Sequence, residues 1–128
     1  MWITTALRSC RYWLAAGVLC ACATPAPMTP EAMAPLTCLN PAQCALYWQR
    51  AQAWVAESSA YRVQLSTDTV IQTYGPLVGR ADMAYVITKI PRADGSADIN
   101  IRAECDNVFR CSPELPDALI SFKRFVRG

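Results

Sequence analysis

The sharpest pattern of apolar and polar positions lies in residues 40–58. At 100° per residue, Cys44, Tyr47, Trp48, Ala51, Trp54 and Val55 fall within an arc of about 120°, the width of a core-facing stripe. Gln49, Arg50, Gln52 and Glu57 lie outside it. Asn40 is a favoured N-cap, Pro41 suits the first helical position, and Gln43 completes a capping box. The spacing predicts a helix ending near Ser58-Ser59. Trp48 and Trp54 sit on the apolar stripe, so they read as core rather than as a ligand platform.

The period then shortens to two. Tyr61–Ser66 alternates apolar and polar, as in a half-buried strand. Thr69–Tyr74 is β-branched and aromatic, and Thr67-Asp68 between them reads as a turn or as a bulge in one long strand. Gly75-Pro76 ends the segment. Met83–Ile90 is apolar on both faces, as a central strand would be. Arg92-Ala93-Asp94-Gly95-Ser96 is a hairpin signal centred on Asp-Gly. Ala97–Cys105 alternates strictly, with Ala97, Ile99, Ile101, Ala103 and Cys105 on one side. A second helix follows Ser112-Pro113 and runs to about Val126, with Leu115, Ala118, Leu119, Phe122, Phe125 and Val126 on one arc. Lys123, Arg124 and Arg127 near its end suit the helix dipole. The expected class is α+β: an antiparallel sheet of about four strands with both helices on one face.

The first two dozen residues follow another plan. Arg8 and Arg11 precede an uncharged run, residues 12–19, that is too short to span a bilayer. This is the layout of a secretory signal. Leu19-Cys20-Ala21-Cys22 closes it. That tetrapeptide resembles the lipobox of bacterial lipoproteins: a branched apolar residue, a free position, a small residue, then Cys. The resemblance implies removal of residues 1–21 and diacylglycerol on the sulfur of Cys22, with an N-acyl chain (palmitate, for example) in many bacteria. Two or more chains hold a protein at a membrane, whereas one gives marginal binding. Ala23, in place of the Asp that resembles an inner-membrane retention signal, points to the outer membrane. The expected location is the cell envelope, lipid-anchored and facing the periplasm.

Three parts follow: the signal at 1–21, a lipidated Cys with a Pro/Ala-rich tether at 22–37, and a domain at 38–128. Pro25, Pro27, Pro30 and Pro35 alternate with Ala, Thr and Met in the tether. Proline favours extended geometry, and at ~3.1 Å per residue the tether reaches about 45 Å. It reads as a spacer without packed structure.

Loss of Arg8 and Arg11 leaves ten basic residues against ten acidic ones, so the mature chain is neutral. A neutral chain without a basic run gives no footprint for nucleic acid. Seven cysteines fall to four once Cys10 and Cys20 leave with the signal and Cys22 takes lipid. In an oxidising compartment the four read as disulfides. The favoured pairs are local, Cys38–Cys44 and Cys105–Cys111, each worth roughly 2–2.5 kcal/mol. The crossed pairing, with longer loops worth ~4 kcal/mol each, stays open.

Candidate chemistry is sparse. The chain has no His, the usual general base and metal ligand. No serine sits in a G-x-S-x-G setting, and no cofactor or metal site is expected. Asp94 and Asp98 flank a turn without an EF-hand pattern. Glu104 and Asp106 alternate across a strand end as a solvated edge. Thr67, Asp68, Thr69 and Tyr74 form the most polar-aromatic spot of the sheet region and mark the expected pocket.

The layout is similar to the small uncharacterised proteobacterial lipoproteins that combine a lipobox, a Pro/Ala tether and a four-Cys domain, and this implies no activity. The leading expectation is a non-catalytic envelope accessory factor with a periplasmic protein partner. The alternatives are a module binding a small ligand or envelope component on the open sheet face and, more remotely, a carboxylate hydrolase.

Overall fold

The computed structural model describes residues 24–128. The expected signal at 1–21 and the expected lipid site at Cys22 lie outside the described residues. Eight elements follow in chain order: α1 (Pro30–Met33), β1 (Leu36–Cys38), α2 (Pro41–Ser58), β2 (Val63–Ser66), β3 (Val70–Thr73), β4 (Ala84–Pro91), β5 (Ala97–Glu104) and α3 (Leu115–Arg127). The class is the expected α+β. The sheet has five antiparallel strands rather than about four, in the order β1-β5-β4-β3-β2.

The long elements form for the reasons their sequences suggest. Asn40 caps α2 by accepting from the Gln43 amide at 2.9 Å, and the Gln43 side chain accepts from the Leu39 amide at 2.7 Å. Cys44, Trp48, Ala51, Trp54 and Val55 are the buried stripe of α2. Gly95, at φ 87°, turns the chain from β4 into β5, and the Arg92 amide donates to the Ser96 carbonyl across that turn. Ile71, Tyr85, Ile87, Ala97 and Ile99 are fully buried against this stripe and against Ala118, Phe122 and Val126 of α3. Leu115 and Phe125, also on the α3 arc, remain exposed.

The segment expected to be a spacer is the largest correction. Residues 30–38 are folded, so the domain starts near Thr29 rather than Cys38. Thr29 caps α1, Pro30 takes its first position, and Ala32 is buried. Pro30, one of the prolines that suggest an extended chain, is here a helix start. β1 then pairs with β5, Leu36 opposite Ile99 and Cys38 opposite Ala97. A four-residue helix does not stand on its own propensity, and α3 holds this one. Arg124 forms a bidentate ion pair with Glu31, at 2.6 and 2.8 Å. Lys123 is only 7 % exposed, and its ammonium donates to the Ala32 and Ala34 carbonyls at the end of α1. Lys123 thus serves the C-terminus of α1 and not, as its position in α3 suggests, a solvated end of its own helix.

Two smaller differences concern β2. Every residue of it is exposed, against the expected half-burial, because it forms the outer edge of the sheet. Thr67-Asp68 is a turn between two strands, closed by the Thr67 amide on the Val70 carbonyl at 2.8 Å. The irregularity falls earlier, between Val63 and Leu65. Both disulfides take the local pairing, Cys38–Cys44 with Cα atoms 5.0 Å apart and Cys105–Cys111 at 5.7 Å.

Lys123→Ala leaves two carbonyls without their donor and is expected to cost about 1–3 kcal/mol in urea unfolding; a change below about 0.5 kcal/mol would mean that α1 does not depend on it. Replacing Cys105 and Cys111 together by Ala is expected to lower stability by roughly 2–2.5 kcal/mol, with peptide mapping of the native protein recovering each six-residue-separated pair intact.

The Arg124 guanidinium holds the Glu31 carboxyl below its ordinary value. A depressed carboxyl contributes stability above its unfolded pKa and loses it as pH falls through the folded one. The wild-type protein should therefore lose more stability between pH 6 and pH 3 than Glu31→Gln does, measured by urea midpoints. Equal losses would remove the ion pair from the account of α1.

Candidate functional site

The expected pocket does not assemble. Thr67, Asp68 and Thr69 form the tip of the β2–β3 hairpin, whereas Tyr74 follows the other end of β3. The Thr67 hydroxyl accepts from the amides of Thr69 and Val70 at 3.2 and 3.0 Å, and the Thr67 carbonyl accepts from the Trp48 indole at 3.0 Å. These groups close a turn and fasten it to α2.

The carboxylates are similarly occupied. Asp94 accepts from the amide and hydroxyl of Ser96, which hold its carboxyl below the ordinary range. Asp98 accepts from the Thr37 hydroxyl at 2.7 Å and pairs with Arg92. Glu104 and Asp106 are exposed, and the Asp106 backbone is bridged to Val78. Among the described residues no three His, Cys, Asp or Glu side chains converge on one point.

The least satisfied apolar surface lies at the end of the sheet where β3 and β5 finish. Two loops meet there, residues 74–83 and 105–114. Gly75, at φ 86°, approaches the Tyr61 ring so closely that a Cβ would stand 2.9 Å from it, and the Tyr61 hydroxyl accepts from the Leu77 amide. The Arg80 amide returns to the Leu77 carbonyl at 3.1 Å and Arg80 pairs with Asp82, which closes the first loop into a tight turn. The second loop is closed by the Cys105–Cys111 bond and by Asn107, whose side-chain Oδ1 accepts from the amides of Phe109 and Arg110.

The loops are then fastened to each other. The Asn107 side-chain Nδ2 donates to the Gly79 carbonyl at 2.9 Å, and the Ser112 backbone amide donates to the Ala81 carbonyl at 2.8 Å. On this fixed frame Val108, Phe109 and Val78 are 92, 85 and 88 % exposed, with Leu77 beside them. Thr24, Pro25, Ala26 and Met28 run past the second loop, and with Phe109 and Leu115 they border a concavity of about 490 Å³. Sequence reading missed these four apolar side chains. The signal was present as two apolar pairs, Leu77-Val78 and Val108-Phe109, set among turn residues.

The other exposed apolar feature is the free edge of the sheet. Val63 and Leu65 of β2 are both exposed, Leu65 at 45 %. The Gln52 side chain of α2 donates to the Ser66 hydroxyl and steadies one end of the strand. Both features present apolar side chains to solvent.

Comparison with known proteins yields no family model that matches, and no curated sequence or solved structure matches either.

Proposed function

We propose that the chain is a lipid-anchored protein of the bacterial envelope whose domain works by contact with a second envelope protein rather than by catalysis. Residues 1–21 are removed, Cys22 carries the acyl chains, and the domain faces the periplasm, with Ala23 favouring the outer membrane. The lipobox carries the anchoring part of this reading.

The free edge of β2 carries the partner part. An edge strand offers unpaired backbone donors and acceptors to another chain, and proteins that do not use such an edge blunt it with charge or proline. Tyr61–Ser66 contains neither proline nor acid, and its one charge is Arg62. Val63 and Leu65 flank that edge with apolar surface. A partner strand laid along it gains main-chain hydrogen bonds and buries both side chains.

Cys22→Ala is expected to abolish acyl labelling in cells and to leave uncleaved or soluble material; persistent label would end the anchoring claim. A photo-crosslinking residue at Leu65 should give a discrete heteromeric adduct in cells, lost when Val63→Lys places a charge on the edge strand. Equal adducts from Leu65 and from Glu57 on the polar face of α2, or none from Leu65, would dismiss the edge as the contact.

A further inference from the structure

We propose that the two-loop tip formed by Leu77, Val78, Val108 and Phe109 inserts into the headgroup and acyl boundary of the membrane that holds the anchor. This inference rests on lipidation at Cys22 and fixes what that reading leaves open, the orientation and height of the domain. The spacer reading sets the domain up to about 45 Å from the lipid on an extended chain. The structure folds that chain back. Residues 30–35 lie against the C-terminal half of α3 through Glu31, Lys123 and Arg127. Residues 24–28 lie beside its first residues and beside Phe109. At Thr24 the described chain thus runs beside the 105–114 loop of that tip.

Cys22 is two residues before Thr24. Two residues of chain span at most about 7 Å, at ~3.3–3.6 Å per residue. A sulfur carrying acyl chains within that reach brings the bilayer to this end of the domain. Apolar side chains on a frame held by a disulfide and cross-loop hydrogen bonds cannot turn inward to escape water, and exposed apolar patches of this kind mark membrane or protein contacts. Their nearest apolar phase is the bilayer itself. The tips at Thr67–Thr69 and at Arg92–Ser96 lie at the opposite end of the sheet and point to the periplasm, with the β2 edge accessible along the side.

The test uses the acylated protein with Phe109→Trp in vesicles of phosphatidylethanolamine, phosphatidylglycerol and phosphatidylcholine brominated on its acyl chains. Trp48 and Trp54 are buried in the core and provide a constant background measured on the wild type. Leu39→Trp, exposed beyond the far end of β1, is the control. Added fluorescence from position 109 should be quenched several-fold more than that from position 39, and Val108→Asp should bring the two to the same level. Equal quenching with intact acylation, shown by mass, overturns the tip's insertion and leaves the anchor standing. Failure to find acyl mass on Cys22 overturns both. Emission at position 109 that bromine leaves untouched, yet is shielded from aqueous iodide only in native membranes, would assign the tip to a protein and equally overturn the proposal.

Discussion

The domain depends on one aromatic junction. The Trp54 indole of α2 meets the Tyr85 ring of β4 edge-on at 4.9 Å and the Phe122 ring of α3 edge-on at 5.2 Å. Its N–H donates to the Ser121 hydroxyl at 3.2 Å. One side chain therefore holds both long helices and the central strand. Edge-to-face pairs add about 0.5–1.5 kcal/mol each beyond area burial, and the indole nitrogen, a polar group in a dry place, keeps a partner. Tyr85 is almost wholly buried, and that burial raises its phenol above the ordinary tyrosine range.

Around that junction the remaining elements are secured by polar contacts that each serve a particular gap. Trp48 is held to the β2–β3 turn through its indole and stacked under the Lys89 ammonium at 5.0 Å. The Thr73 hydroxyl accepts from the Tyr85 amide at 2.9 Å, covering a ladder position on the buried side of β3. Arg50 reaches from α2 to the Val126 and Arg127 carbonyls and closes the end of α3. Among the described residues no buried side-chain nitrogen or oxygen lacks a partner. A small core with two short-loop disulfides needs this completeness, because an unpaired buried group costs as much as a lost core contact.

Long periodic elements were legible because a single pattern decides them. The stripe from Cys44 to Val55 and the alternation from Ala97 to Glu104 each repeat often enough to outweigh local exceptions. Pro30–Cys38 was not legible, because four residues of helix and three of strand carry no period, and Pro30 reads equally as spacer and as helix start. The exposure of β2 was hidden for a different reason. Alternation shows that two faces differ, not that a layer exists to cover one of them, and an outer strand runs past the cover. Lys123 shows the converse: its burial comes from a segment about ninety residues away, which helical spacing does not register. At the candidate site, Thr67 and Tyr74 looked close because they are close in sequence, but a strand between them carries them to opposite ends of the sheet.

The position of β1 bears on the order of events during synthesis. Thr37 and Asp98 face each other 61 positions apart, so the outer strand beside β5 is made long before the strand it joins. Until residue 99 emerges, Leu36 and Cys38 have no strand to join, and α1 waits longer still for α3. Cys38 and Cys44 are only six positions apart, so during that wait their thiols need no tertiary structure to find each other. The early bond leaves a nascent chain that already has α2 tied at its start, with closure of a long loop, slow and entropically costly, still to come.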